Sequence, residues 1–206
     1  MIEIRHVSKA FEGKPVLEDV CFTFPDKAVT AVTGPSGQGK TTLLNVILRL
    51  VKPDAGEVLA PRGLRYACVF QEDRLIEHMD AYGNVKLTAH GSVTPADIAD
   101  VLASLGLDPR DGEHVSRFSG GMRRRVAIAR AVLAKPDVLA LDEPFKGLDL
   151  VARNHAARVI LQKCPDAAKI LVTHEPDEIA IMHVGGTFGL GDEKNAGALP
   201  QAPLKG

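Results

Sequence analysis

The chain has 206 residues, enough for one α/β domain with a sizeable core, and its 25 Lys and Arg nearly balance its 26 Asp and Glu. A net charge of −1 provides no electrostatic footprint for nucleic acid and no polybasic membrane anchor. No run approaches the ~18 apolar residues of a membrane span, and the N-terminus is not a signal peptide. We therefore expect a cytoplasmic protein whose membrane role, if any, comes through a partner.

The cysteines show no sign of a shared site. Cys21, Cys68 and Cys164 are odd in number and scattered, which predicts neither a disulfide framework nor a metal-ligand spacing. Cys21 and Cys68 lie in apolar stretches and are interpreted as core thiols. The histidines other than His174 show no paired spacing and are expected at the surface or in loops.

The N-terminal third predicts a series of short strands. Residues 2–7 alternate in polarity, as expected for an edge strand, and further strands are predicted over residues 20–24, 28–33, 57–60 and 64–71. The last of these is apolar, is expected to be buried, and ends at Gln71.

A glycine-rich segment follows the predicted strand at 28–33. It fits the phosphate-binding pattern G-x-x-x-x-G-K-[ST] and consists of Gly34, Pro35, Ser36, Gly37, Gln38, Gly39, Lys40 and Thr41. Glycines let backbone N–H groups converge on phosphate oxygens, and the N-terminus of a predicted helix at 41–50 adds partial positive charge. We expect Lys40 to contact the β- and γ-phosphates and the Thr41 hydroxyl to coordinate Mg²⁺.

Residues 72–134 predict a small inserted helical subdomain. One helix is expected over 95–105, capped by Thr94, and a stronger one over 119–134. Ser119, Gly120 and Gly121 begin the second helix and offer a second anion site. One nucleotide cannot contact both this site and the P-loop if the two are far apart. This suggests that they contact the nucleotide of a partner subunit. The run of arginines at 123–125 is interpreted as a solvated helix face rather than a nucleic-acid site.

The last third alternates strands and helices and carries three more polar candidates. An apolar strand at 138–141 ends in Asp142, which is expected to reach Mg²⁺, and Glu143, which is expected to orient or deprotonate the attacking water. Asp149 caps a helix to about residue 163, and a buried strand at 170–172 places His174 at the same sheet edge. A short helix is predicted over 175–182, and residues 191–206 are expected to be a loose tail.

In their order along the chain, these motifs resemble the ATPase subunits of ATP-binding cassette (ABC) transporters. The resemblance equates 34–41 with the Walker A motif, Gln71 with the Q-loop, 118–122 with the signature motif and 139–143 with Walker B. It equates 147–149 with the D-loop and His174 with the switch histidine. The implied fold is α/β: a P-loop NTPase core with a mostly parallel sheet, a small N-terminal antiparallel β subdomain and the inserted helices, all within residues 1–190.

The resemblance implies the ligands and their contacts. ATP and Mg²⁺ are the expected ligands; Thr42, Gln71 and Asp149 join the nucleotide-binding residues, and Gln71 joins Thr41 and Asp142 as a metal contact. Phe11 lies where the family stacks an aromatic ring on adenine, although a loop phenylalanine can also simply pack. Lys40, Glu143 and His174 are the implied catalytic residues.

The resemblance also implies partners. Two copies are expected to sandwich ATP head to tail, and residues 73–85 are expected to contact a membrane permease, with a substrate-binding protein in the full system. Residues 142–145 and 147–149 resemble bacterial importers, and residues 69–75 together with Asn84 and Val85 resemble the nitrate, sulfonate and taurine-type ATPases among them. The signature departs from the family pattern at Phe118 and Met122. The alternative is a soluble ABC-type ATPase uncoupled from transport, such as one that assembles Fe–S clusters.

Overall fold

Two sheets organise the residues that the computed structural model describes, which are 1–191. Apart from Gly191, the expected loose tail lies outside the described residues. The strands are β1 (Ile2–Phe11), β2 (Lys14–Phe24), β3 (Val29–Thr33), β4 (Ala55–Leu59), β5 (Tyr66–Val69), β6 (Val138–Asp142), β7 (Ala168–Val172) and β8 (Gly186–Gly189). The α-helices are α1 (Lys40–Ile47), α2 (Ala81–Lys86), α3 (Pro95–Ser104), α4 (Gly120–Leu133), α5 (Leu150–Lys163) and α6 (Pro176–Ile181).

The larger sheet has five parallel strands in the order β5-β6-β7-β3-β8. Its inner strands β6 and β7 are buried throughout, as parallel strands covered on both faces should be. The predicted α/β class with a mostly parallel sheet is therefore confirmed.

The smaller sheet is antiparallel, with the order β2-β1-β4. The prediction that residues 2–7 form an edge strand is wrong, because β1 runs on to Phe11 and pairs with β2 on one side and β4 on the other. Alternating polarity shows that one face of a strand is covered, but it does not show how many neighbours the strand has.

The larger sheet separates two apolar clusters, because alternate residues of each strand point to opposite faces. On β6, Leu139 and Leu141 join the cluster that contains the buried faces of α2, α3, α4 and α5. Val138 and Ala140 join the cluster that contains α1 and the small sheet. Helices α1 and α4 therefore lie on opposite faces of the sheet.

In chain order, the segment from β5 to β6 contains the helices α2, α3 and α4 and a 3₁₀ turn (Val115–Arg117). The predicted cap of α3 is confirmed: the Thr94 side chain accepts from the Asp97 N–H, and the Asp97 carboxylate accepts from the Thr94 N–H at 2.7 Å. No helix within residues 1–191 is both long enough and apolar enough to cross a bilayer.

The strand β8 was not predicted from the sequence. Two of its four residues are glycines, which are depleted in strands, so its local signal is weak. Its pairing with β3 and the burial of Phe188 stabilise it instead.

We expect two glycine substitutions in the small sheet to separate backbone strain from steric overlap. Gly13 (φ 76°) has no neighbour within 4 Å of an added Cβ, whereas at Gly56 (φ 74°) that atom would lie 2.2 Å from the carbonyl oxygen of His6. Gly13→Ala should destabilise the fold by about 1–2 kcal/mol through its left-handed backbone alone. Gly56→Ala should cost about 1–3 kcal/mol more through overpacking, as measured by urea unfolding. Equal losses would contradict this close approach of β4 to β1.

Candidate active site

The carboxyl ends of the parallel strands bring the predicted site residues to one edge of the larger sheet. The P-loop follows β3, Asp142 ends β6, and His174 lies two residues beyond β7. Gln71 lies two residues beyond β5 at the neighbouring position. Ligands of open α/β sheets bind at this edge, so the order of the strands assembles a candidate site.

Two P-loop glycines occupy positions that no other residue fits. Gly34 has φ 140°, and a Cβ added there would lie 2.7 Å from the Leu190 carbonyl oxygen. Gly39 has φ 87°, and a Cβ added there would lie 2.8 Å from the Val16 carbonyl oxygen. Gly39 is also the N-cap of α1 and has no side chain with which to cap it. The first-turn amides of α1 are therefore available to bind phosphate.

The Lys40 ammonium folds over its own loop. Its Nζ donates hydrogen bonds to the carbonyl oxygens of Gly34 and Pro35, each at 2.8 Å. These bonds hold a positive charge at the loop, and a phosphoryl oxygen can replace either acceptor.

A hydrogen bond joins the P-loop to the end of β6. The Thr41 Oγ1 donates to Asp142 Oδ2 at 2.8 Å, and Asp142 is only 3% exposed. Burial raises the pKa of the Asp142 carboxyl, the Thr41 hydrogen bond works against that rise, and the charge of Glu143 adds to it. A hydroxyl and a carboxylate are hard oxygen donors of the kind that Mg²⁺ prefers, so this pair fits a magnesium ion.

Glu143 adopts a left-handed backbone conformation with φ 47°. Such a conformation costs a non-glycine residue about 1–2 kcal/mol. The backbone holds it in place, because the Glu143 N–H donates to the Val172 carbonyl oxygen at 3.0 Å. The carboxylate lies 3.3 Å from the Lys146 ammonium and remains 24% exposed. Strain of this kind concentrates at functional sites, and here it occurs at a partly exposed carboxylate that follows Asp142 in the chain.

The segment after β7 presents His174 to solvent. Its side chain is 62% exposed, and its Nε2 lies 3.2 Å from a carboxylate oxygen of Glu175. A buried pair anchors the segment, because the Thr173 hydroxyl donates to Glu178 at 2.6 Å. Burial raises the pKa of Glu178. The hydrogen bond from Thr173 therefore anchors the chain directly before His174.

Arginines of α4 hold the segment that contains Gln71. The Arg124 guanidinium donates to the carbonyl oxygens of Phe70 and Gln71 at 2.5 and 2.6 Å and lies 3.3 Å from the Asp73 carboxylate. Arg130 donates to the carbonyl oxygens of Asp73 and Arg74. The Gln71 backbone is thus fixed while its side chain remains exposed.

The interpretation of residues 123–125 as a solvated face is wrong. Arg124 is only 5% exposed, and its neighbours in the run are partly buried. Sequence reasoning missed this residue because it classified the run by charge. Helical spacing carried the signal, since Ala127 and Ile128 lie three and four residues further on, on the buried face of α4.

The structure does not bring Ser119, Gly120 and Gly121 to the P-loop of the same chain. Ser119 caps α4 by accepting from the Met122 N–H at 3.3 Å, and α4 lies across the sheet from α1. Gly121 packs closely on Gly147, where an added Cβ would lie 3.3 Å from the carbonyl oxygen. Asp149 follows that turn and caps α5 by accepting from the Ala152 N–H at 2.8 Å.

Phe11 lies at the end of β1 with its ring 46% exposed. The Lys9 ammonium lies 5.3 Å from the ring centroid. Phe11 is therefore not a core residue, and close to half of its surface is exposed to a ligand.

Taken together, the parallel sheet, the P-loop and the acid bonded to its threonine place the chain in the class of P-loop nucleotide-binding proteins. The chain belongs to the ABC transporter family, because that family's model matches residues 17–146.

Curated relatives have names that refer to import. An Fe(3+) ions import ATP-binding protein, FbpC 1 of Rhodococcus jostii (strain RHA1), is 34% identical over 97% of this chain and 64% of its own length. The taurine import ATP-binding protein TauB of Escherichia coli O157:H7 is 35% identical over 88% of this chain and 76% of its own length. The chain thus spans somewhat less than two thirds of the iron-import relative.

Solved structures share the fold. An ATP-binding subunit of an ABC transporter superposes with a TM-score of 0.82 at 25% identity, covering 92% of this chain and 85% of that one. A dimeric bacterial ABC transporter cassette gives a TM-score of 0.78 at 28% identity, covering 92% and 94%.

We expect Asp142→Asn to raise the thermal stability of the nucleotide-free protein at neutral pH. The asparagine oxygen still accepts from Thr41, but no charge is buried. Since burial raises the folded-state pKa of Asp142, wild-type stability falls as pH rises through that pKa, and the variant escapes this loss. Its advantage should therefore shrink as pH falls toward the ordinary carboxyl value of 3.8. Thermal unfolding across this pH range tests the prediction, with exposed Asp100→Asn as the control. An unchanged or lower midpoint in Asp142→Asn at neutral pH would contradict it.

Proposed function

We propose that the chain is the ATP-binding and ATP-hydrolysing subunit of an ABC importer and drives transport through a separate membrane permease. The observation that carries the proposal is the Thr41–Asp142 hydrogen bond, which joins a phosphate-binding loop to a buried acid with Glu143 beside it. The import functions in the names of the curated relatives support the direction of transport.

Bound ATP would lie along the P-loop. The amides at the start of α1 and the Lys40 ammonium would bind the β- and γ-phosphates, and Lys40 would exchange its two loop carbonyls for phosphoryl oxygens. Phe11 would stack on the base with its exposed face. Thr41, Asp142 and Gln71 would hold Mg²⁺, which neutralises charge on the phosphoryl oxygens when bound.

Hydrolysis then needs a positioned water and a stabilised phosphoryl group. The Glu143 carboxylate would orient the water and accept its proton, since its backbone is fixed and its side chain is partly exposed. His174 would contact the γ-phosphate from its exposed position at the end of β7. Most of the rate enhancement would come from this positioning and from charge stabilisation.

A second copy of the chain would complete each site. Ser119, Gly120 and Gly121 lie at the start of α4, across the sheet from α1, so they are badly placed for their own P-loop. In a head-to-tail dimer they would face the ATP of the partner, and Asp149 would lie at the same junction. ATP would favour closure because it contacts both halves only in the closed dimer.

The inserted helical subdomain, at about residues 72–134, would transmit closure to the permease. The stretch 73–85 is the proposed contact, and Ile76 in it is 36% exposed although apolar. Arg124 and Arg130 tie the start of this stretch to α4, so a movement of α4 would carry it along. The subunit would then be a cytoplasmic protein held at the inner face of the membrane by its permease, with a substrate-binding protein in the complete system.

We expect Glu143→Gln to slow ATP hydrolysis by about 10²–10⁴-fold while ATP binding persists. Glutamine keeps the shape but cannot accept the proton from water. The variant should also accumulate as an ATP-bound dimer, because reopening depends on hydrolysis. Phosphate release and size-exclusion chromatography with ATP measure the two effects.

The exposed carboxylate of Glu113 provides the control, and Glu113→Gln should leave turnover unchanged. Wild-type turnover in Glu143→Gln would refute the role of this residue and transfer it to His174. Loss of ATP binding in the same variant would show instead that Glu143 is needed to form the binding site.

We expect a mixture of Lys40→Ala and Ser119→Arg subunits to recover ATPase activity that neither variant has alone. A mixed dimer contains one site built from two intact halves, because Lys40 and Ser119 of different chains meet there. Steady-state hydrolysis at increasing mixing ratios should pass through a maximum near equal amounts. No recovery, with mixed dimers demonstrated by cross-linking, would contradict the head-to-tail arrangement.

A further inference from the structure

Three chemically different donor atoms meet on the small antiparallel sheet, and none of them belongs to a residue proposed for catalysis. His6, Asp19 and Cys21 each offer one ligand atom, and all three atoms lie within 4.8 Å of one another. His6 Nδ1 is 2.7 Å from Asp19 Oδ1, and the backbone N–H of His6 donates to the Cys21 Sγ at 3.2 Å. The side chains of His6 and Asp19 are 74% and 72% exposed, so an ion can reach them from solvent.

A β-bulge in β1 turns His6 to the outer face. Ile4 pairs with Phe22 and Val7 with Val20, so two residues of β1 lie opposite the single residue Cys21 of β2. His6 absorbs the extra residue with φ 49°. In a regular strand, residues three positions apart point to opposite faces of the sheet. The bulge reverses this alternation, so that Ile4 and Val7 are both buried in the core.

A second bulge, in β2, turns Asp19 to the same place. Val7 pairs with Val20 and Lys9 with Leu17, so two residues of β2 lie opposite Ser8 alone. Asp19 takes φ 48°, and its N–H donates to the Ser8 hydroxyl at 3.0 Å. Two neighbouring non-glycine residues thus hold left-handed conformations, and their common effect is to direct a carboxylate and an imidazole to one point beside Cys21.

We infer that His6, Asp19 and Cys21 bind a zinc ion, with water as the fourth ligand. Imidazole, carboxylate and thiolate are the ligands that Zn²⁺ accepts in tetrahedral sites, whereas Mg²⁺ and Ca²⁺ favour oxygen donors. Zinc–ligand distances of about 2.0–2.3 Å require donor atoms roughly 3.3–3.7 Å apart. The 2.7 Å between His6 Nδ1 and Asp19 Oδ1 is shorter than that range, and all three donor atoms lie within 4.8 Å of one another. Small rotations of exposed side chains are sufficient to reach it.

A surface His–Asp ion pair accounts for only part of this arrangement. Such a pair explains the contact between His6 and Asp19, but it does not explain why a partly buried thiol faces the same point. Exposed ion pairs also contribute little to stability, so they give no reason to maintain two bulges.

The site borders the cleft beside the P-loop. Asp19 and Cys21 help to line a cleft of about 580 Å³ that Gly37 and Gln38 also line. Within this region β2 presses on the P-loop, since Val16 lies against Gly39. Zinc bound across β1 and β2 would lock the strand that supports the phosphate-binding loop.

The test is zinc binding to the full-length chain, without an affinity tag and with a non-thiol reductant. Competition with a chromophoric chelator gives the affinity for Zn²⁺ alone, and excess Mg²⁺ occupies oxygen-only sites such as the one at Asp142. Co²⁺ in place of Zn²⁺ should give a thiolate-to-metal charge-transfer absorption. Cys21→Ser should abolish that absorption and weaken zinc binding by more than about 100-fold, since even second-shell changes weaken binding 10–100-fold.

Matched variants decide which residues hold the metal. His6→Ala and Asp19→Asn should each weaken zinc binding, whereas Cys68→Ser and His78→Ala should leave the affinity and the cobalt spectrum unchanged. Zinc should raise the thermal midpoint of the wild type and not that of Cys21→Ser. The unfolding transition of Cys21→Ser without metal checks that this variant is folded. No zinc binding by the wild type, or wild-type affinity in Cys21→Ser, would overturn the site. The assay uses no ATP, so its failure would leave the proposed ATPase function untouched.

Discussion

The phosphate-binding loop and the proposed catalytic residues depend on five strands running parallel, with β3 inserted between β7 and β8. This order brings the P-loop, Asp142 and His174 together although they come from three separate parts of the chain. One hydrogen bond, from Thr41 to Asp142, then joins the phosphate-binding loop to the acidic strand end. Without the parallel arrangement, the same motifs would lie at opposite ends of the sheet and would share no ligand.

The site is assembled at a local energetic disadvantage that the surrounding fold offsets. Asp142 is a buried carboxyl with a raised pKa, and Glu143 holds a left-handed backbone. One buried apolar cluster on each side of the sheet stabilises the fold enough to offset the buried charge and the backbone strain. A buried carboxylate that a bound cation would stabilise, followed by a partly exposed second carboxylate, is an arrangement that suits metal-assisted hydrolysis.

The same sheet keeps two helix N-termini apart within one chain. Alternating side chains on β6 send α1 and α4 to opposite faces, so the two helix N-termini that suit phosphate are separated within a subunit. A second copy offers the simplest way to bring such N-termini together across one nucleotide. The small antiparallel sheet supports the P-loop from one side, where Val16 approaches Gly39 so closely that only glycine fits.

The sequence by itself determined the features that depend on neighbours along the chain. The glycine spacing of the P-loop, the apolar strand before Asp142 and the cap of α3 are local patterns, and each has the same physical meaning wherever it occurs. Predicting the parallel sheet and the approach of Asp142 to the P-loop succeeded because alternating strands and helices allow few other arrangements. The edge position assigned to β1 and the omission of β8 were errors, since both depend on pairing partners distant in sequence.

Tertiary structure alone decided which polar residues meet across elements. Arg124 belongs to a charged run in the sequence, yet it is buried because its face of α4 packs on the segment around Gln71. Cys21 was interpreted as a core thiol, but it is only partly buried and lies beside His6 and Asp19. Their positions along the chain follow no ligand pattern, because β-bulges, rather than a fixed spacing, set the register of β1 against β2. Register and burial are properties of the folded chain, and residue types reveal them only where the pairing is already known.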